Sequence, residues 1–122
     1  MADRKCKGKH LIMECIGAQS GLGCEALERL LREAAKAAEA RVLGAHFHPF
    51  GQGLGVTGVL ILAESHMSVH TWPEYNYAAF DIFMCGDCQP EIAAERIAAY
   101  DSRARTSIRV LARGEGRIDD YA

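Results

Sequence analysis

Eight residues, Val56–Ala63 (VTGVLILA), form a nearly unbroken apolar run that passes directly into Glu64, Ser65 and His66. A short apolar run bounded by glycine reads as a strand, and apolar residues at both parities predict burial on both faces. Such a strand brings polar atoms to the edge of a core. The stretch that follows, Ala63–Gly86 (AESHMSVHTWPEYNYAAFDIFMCG), holds two histidines, a Trp-Pro-Glu corner and a cysteine. The chemistry-bearing residues concentrate here, and the flanking sequence reads as scaffold.

The scaffold has a regular pattern. Lys9–Gly17 alternates Leu11, Met13 and Cys15 against His10, Ile12, Glu14 and Ile16, as a strand does. Ala18–Gly23 is a Gly/Ser loop. Cys24–Ala40 is an amphipathic helix, with Leu27, Leu30, Leu31, Ala34 and Ala38 on one face and Glu28, Arg32, Lys36 and Glu39 on the other. Arg41–His48 reads as a strand, with Leu43, Ala45 and Phe47 on one side and Val42, His46 and His48 on the other. Pro49–Gly55 carries three glycines and is a loop. Tyr77–Cys85 is a strand with Phe80, Ile82 and Met84 on one face and Tyr77, Asp81, Phe83 and Cys85 on the other. Gln89–Arg103 is a second helix, with Pro90 at its first position and Ala93, Ile97 and Tyr100 inward. Thr106–Ala112 is a last strand, and the polar Arg113–Ala122 is expected to be loosely ordered.

These elements predict an α+β two-layer sandwich, a mostly antiparallel sheet with two helices packed on one face, spanning residues 1–122 as one domain. One face of the Tyr77–Cys85 strand takes the helices. The mixed face needs another cover, for which a second copy of the chain is the candidate.

At 122 residues and a net charge of −2, with no basic block, the chain has neither the footprint of a nucleic-acid binder nor that of a protein drawn to anionic membranes. No stretch reaches the roughly 18 apolar residues of a membrane span, and no apolar run follows the basic MADRKCKGKH as in a signal peptide. The expected location is the cytoplasm, with the five cysteines reduced.

Three constellations in the central stretch stay open on residues alone. Cys85-Gly-Asp-Cys88 is half of a zinc site or a redox pair, but no second C-x-x-C completes it; His46, His48, His66 and His70 would have to supply ligands. His66 and His70, four apart, would be a metal pair on a helix, but the following Thr-Trp-Pro argues for extended chain. Ser65 lies five residues before His70 without a G-x-S-x-G elbow. In one regular strand over 56–70 those two side chains point to opposite faces, so either they do not react together or the chain turns near Ser65.

The block ESHMSVHTWPE (Glu64–Glu74), followed by a strand ending in Cys85-Gly86, resembles the prokaryotic S-adenosylmethionine decarboxylase family of self-processing, pyruvoyl-dependent enzymes. The similarity extends through HLIMEC, the first helix, HFHPF and the second helix. It implies cleavage between Glu64 and Ser65 into a β chain, 1–64, and an α chain, 65–122, with Ser65 converted into a pyruvoyl group. That group would form a Schiff base with S-adenosylmethionine and accept electrons as carbon dioxide leaves, supplying the aminopropyl donor for polyamine synthesis. No metal is implied. His70 matches the family's processing base, Cys85 its proton donor, and Glu74 and Phe50 its substrate-binding carboxylate and aromatic. Family members are homodimers of processed protomers with sites near the interface.

Two departures bear on this. Thr57 stands where the family usually has serine, keeping a hydroxyl for processing. The loop Phe50–Gly55 is one residue longer than the usual form and lacks its Pro-aromatic pair. The altered loop leaves L-arginine and L-ornithine as alternative substrates. A processing-dead regulatory or binding homologue and a zinc module are the alternatives from other classes.

Overall fold

The computed structural model of the protein describes residues 8–85 and 87–114. Six strands, β1 (Gly8–Ile16), β2 (Val42–Pro49), β3 (Val56–Leu62), β4 (Ser65–Trp72), β5 (Tyr77–Cys85) and β6 (Arg105–Arg113), form one sheet in the order β2-β3-β4-β5-β1-β6. Every neighbouring pair is antiparallel. Helix α1 (Cys24–Ala37) connects β1 to β2, and α2 (Pro90–Ala99) connects β5 to β6. The α+β arrangement expected from the sequence is the one observed.

Alternation sorts each strand's residues between helices and open face. Leu11, Met13 and Cys15 of β1 and Phe80, Ile82 and Met84 of β5 meet Leu27, Leu30, Leu31 and Ala34 of α1 and Ala93, Ala94 and Ile97 of α2 in one core. Full burial of a side chain such as Leu31 or Phe80 is worth about 1.5–3 kcal/mol each. Burial and the nearby Asp101 carboxylate push the Cys15 thiol up to about 11, as befits a core thiol.

Among the described residues no helix covers the opposite face of the sheet, which corrects the reading of β3 as buried on both sides. Val56, Leu60 and Leu62 are buried, but Ile61 is 48% exposed. Three local details also differ from expectation. Helix α1 stops at Ala37 rather than Ala40, because Glu39 adopts a left-handed φ of 65°. The Ala40 N–H then closes on the Ala35 carbonyl at 2.9 Å, a Schellman stop made without glycine. In β2 the register shifts between Val42 and Gly44, so Val42, Ala45 and Phe47 all pack toward the core while Leu43 is 61% exposed. Helix α2 ends at Ala99, and Tyr100, read as inward, is 50% exposed.

Strand β6 lies beyond the helix layer and is exposed along its whole length. The expectation of loose order after Arg113 falls, from residue 115 onward, outside the described residues. Among the described residues no helix is long and apolar enough to cross a membrane.

Phe80 sits at the centre of this core on the helix side of β5. Phe80→Ala is expected to lower the unfolding free energy by about 3–5 kcal/mol in urea titrations, through lost burial and a residual cavity.

Candidate active site

At one end of the sheet, Ala63 and Glu64 make the turn that joins β3 to β4, with Leu62 paired to Ser65. The chain does turn next to Ser65, one of the two possibilities left by strand parity. Tight two-residue hairpins favour positive φ at their central residues, usually supplied by glycine or asparagine. Ala63 and Glu64 are not among the residues with positive φ; Ser65 is, at 143°. A non-glycine residue held there costs about 1–3 kcal/mol and persists only where its surroundings over-determine it.

The surroundings do so. The Ala63 N–H donates to the Arg41 carbonyl at 2.9 Å, and the Arg41 N–H donates to Glu64 Oε1 at 3.0 Å. From the end of β5, Cys85 donates twice to the Glu64 carbonyl oxygen: its backbone N–H at 3.2 Å and its thiol at 3.1 Å. Ser65 Oγ lies 3.2 Å from His66 Nδ1, and the His66 ring meets Phe83 edge-on at 5.6 Å. Two donors on one carbonyl polarise it and would stabilise negative charge developing on its oxygen. The residue that follows that carbonyl, Ser65, carries both a hydroxyl and the positive φ.

The other site residues gather at the opposite end of the open face. His70 faces Thr57 across β3 and β4, and Thr57 Oγ1 hydrogen-bonds His70 Nδ1. The His70 ring lies between Trp72, 4.1 Å away centroid to centroid, and Phe50 at 5.7 Å. Phe50 also meets His48 edge-on at 5.0 Å. Its loop is pinned to β4, because Val56 N–H donates to Thr71 Oγ1 at 2.9 Å and Gly55, at φ 95°, passes so close to the Thr71 carbonyl that a Cβ would sit 2.2 Å from it. Glu74 is exposed in the short helical turn Pro73–Tyr75 just beyond Trp72. Trp72 stacks on Tyr77 at 5.1 Å, and the Tyr77 hydroxyl donates to the Glu14 carboxylate.

Ser65 and His70 occupy opposite ends of β4, five residues and therefore roughly 17 Å apart. The sequence block that holds them together in one dimension separates them in three. Glu64, Ser65 and Cys85 lie together at one end of the sheet, and Phe50, Thr57, His70 and Glu74 lie at the other. Between them Asp81 is bonded to His10 at 3.0 Å and Ser68 at 3.5 Å.

Cys88 sits partly buried against the core, its thiol 3.6 Å from the Glu39 carbonyl and its pKa raised, chiefly by burial. Among the described residues no three His, Cys, Asp or Glu side chains converge as a metal site would require, so the zinc alternative finds no ligand set there.

A sequence model of the family described as S-adenosylmethionine decarboxylase matches residues 9–114, nearly the whole chain. The chain belongs to the S-adenosylmethionine decarboxylase family. An S-adenosylmethionine decarboxylase proenzyme of Thermomicrobium roseum is 37% identical over 111 residues, covering 90% of this chain and 96% of that one. One from Methanococcus maripaludis is 40% identical over 116 residues, 93% of each chain. The crystal structure of adenosylmethionine decarboxylase from Aquifex aeolicus superposes with a TM-score of 0.72 at 29% identity, over 93% of this chain and 94% of that one.

Within this family member, residue types and spacing leave several of these contacts unmarked. The sequence offers His66 as a possible metal ligand; in the structure its Nδ1 lies 3.2 Å from Ser65 Oγ. Arg41 acts through its backbone, which no side-chain motif reports. Trp72, Tyr77 and Glu14 are joined only by the pairing of β4 with β5 and β5 with β1.

The Glu14 carboxylate, accepting the phenol hydrogen bond, pushes the Tyr77 pKa up to about 12, with burial adding to the shift. The contact favours the protonated phenol, so its stabilisation is full below the ordinary value of 10.0 and is lost as pH rises through about 12. Ultraviolet titration is expected to show a step near 12 that Tyr77→Phe removes and Glu14→Gln moves toward 10.

Proposed function

We propose that this chain is a self-processing decarboxylase that cleaves its own Glu64–Ser65 bond and, carrying a pyruvoyl group at position 65, removes the carboxyl group of S-adenosylmethionine. The observation that carries it is the Glu64 carbonyl held by both donors of Cys85 beside a strained Ser65.

In self-cleavage, Ser65 Oγ attacks the Glu64 carbonyl carbon and its proton passes to a base. The Cys85 donors carry the charge on the oxygen, and the Glu64–Ser65 C–N bond breaks as the base returns that proton to the departing nitrogen, leaving an ester and a free amine. Release of the backbone bond also relieves the positive φ at Ser65. Loss of the Ser65 α-proton then expels the Glu64 carboxylate, and hydrolysis of the resulting dehydroalanine releases ammonia and leaves a pyruvoyl group on residues 65–122. When formed, that group supplies an electrophilic carbonyl that engages the substrate amine and takes up the electrons freed by carbon dioxide. The residues fit it: Cys85 already directs its thiol at the carbonyl oxygen of the peptide unit that joins residue 65, beside the position from which to return a proton at the end of turnover.

His70, with Thr57 on its Nδ1, is the base for processing, and Phe50 and Glu74 bind substrate. An aromatic ring flanked by His48 and His70 suits the adenine of S-adenosylmethionine, and an exposed carboxylate suits its ribose hydroxyls or its cationic centre. That chemistry favours S-adenosylmethionine over arginine or ornithine. Because His70 lies roughly 17 Å from Ser65 within one chain, the base that serves Ser65 comes from a second copy packed against the open face. The working unit is therefore a homodimer, and its product feeds reactions that transfer an aminopropyl group to amines.

Denaturing mass spectrometry of the purified protein is expected to find fragments 1–64 and 65–122, the latter with a blocked terminus. Ser65→Ala stays intact and inactive. Cys85→Ala, which removes one of two donors to the carbonyl, slows cleavage by about 10²-fold. Carbon dioxide is released from carboxyl-labelled S-adenosylmethionine and not from arginine or ornithine. An intact chain after prolonged incubation, or an active Ser65→Ala, contradicts the mechanism; release from arginine or ornithine alone contradicts the substrate.

A further inference from the structure

The open face holds an ordered row of rings that neither cleavage nor substrate binding has used. Trp72 follows His70 by two residues on β4, so the two side chains share a face and their rings come within 4.1 Å, inclined at 54°. Trp72 is in turn paired directly with Tyr77 of β5, the rings nearly parallel at 20°. Tyr77 is tied by its hydroxyl to Glu14 on β1, one strand further on. The row therefore spans three strands, and its last member is fixed by a hydrogen bond to a carboxylate. On its other side, His70 meets Thr57 through Nδ1. An imidazole gripped by a hydroxyl at one nitrogen and a ring against its face has little freedom about χ2, the side-chain torsion that is otherwise broad.

We propose that Trp72, backed by Tyr77 and Glu14, is the positioning residue for His70. It holds the imidazole so that Nδ1–H donates to Thr57 Oγ1 and the lone pair of Nε2 points outward from the sheet as the base. Trp72 acts through His70 and touches no reacting atom. This rests on His70 being the processing base, and it adds what gives that base its tautomer and direction. It also separates Trp72 from a role in substrate binding: self-cleavage consumes no external substrate, so a change in its rate cannot arise from lost substrate contacts.

The test measures first-order cleavage of freshly translated full-length chain across a pH series, together with ¹⁵N spectra of the His70 ring in the uncleavable Ser65→Ala chain. Trp72→Leu is expected to cleave about tenfold more slowly, the rate equivalent of one lost aromatic contact. It should also change the pH dependence and convert the His70 ring from one Nδ1–H tautomer to a mixture. Trp72→Phe, which restores a ring, should recover most of the rate and the single tautomer. Tyr77→Phe and Glu14→Ala loosen the row from its solvent end without emptying the space beside His70, and both should broaden the tautomer population. That keeps the proposal testable even if Trp72→Leu folds poorly.

Wild-type cleavage and an unchanged His70 spectrum in Trp72→Leu overturn the proposal. So does an unchanged tautomer population in both Tyr77→Phe and Glu14→Ala. His70→Ala distinguishes the two levels. If it cleaves at the wild-type rate, the assignment of the base fails. If it is slow while the Trp72 variants are normal, only the positioning role fails.

Discussion

Both helices lie on the same side of a six-stranded antiparallel sheet, and the placement of every functional group depends on that one-sidedness. Alternation divides each strand into a set that meets the helices and a set that does not. The first set is apolar and makes the core. The second brings His10, Ser68, His70, Trp72, Tyr77, Asp81 and Phe83 onto one uncovered surface. A side that lacks a helix layer is free to carry hydrogen-bonding and aromatic side chains at the spacing the ladder dictates.

The Ala63–Glu64 turn uses the rigidity of that framework. Ala-Glu has no intrinsic preference for a tight hairpin, so the turn is closed by contacts from Arg41 and Cys85, residues remote in sequence. Those contacts fix the Glu64 carbonyl and leave the conformational cost at Ser65. On the proposed mechanism, the same bonds that hold the turn together prepare it to break. The cost of about 1–3 kcal/mol is small beside the stability of a domain, but it is placed on the bond that the proposed mechanism cleaves.

Where local pattern and tertiary packing agree, the sequence was legible. The faces of β1 and β5 and the stripe of α1 follow from alternation and helical spacing, and the central block carried the family resemblance through unusual residue types in a fixed order. What escaped depended on contacts between distant residues. The bulge at Leu43 and the glycine-free stop at Glu39 override local propensity. The apolar run of β3 concealed an exposed face because an uncovered sheet surface tolerates Ile61 as readily as a buried one does. Most consequentially, Ser65 and His70 are neighbours in the motif and opposite ends of a strand in space. A motif records residue types in their order without recording how far apart a strand holds them.

That separation makes the central claim testable by complementation. Ser65→Ala lacks the nucleophile and His70→Ala lacks the base, so each alone is expected to remain intact. Co-expressed so that mixed dimers form, the two variants place the intact Ser65 of one copy opposite the intact His70 of the other. A shared site predicts that the His70→Ala chain, and not the Ser65→Ala chain, is cut between Glu64 and Ser65. Efficient cleavage of His70→Ala expressed alone, or intact chains in isolated mixed dimers, would contradict it.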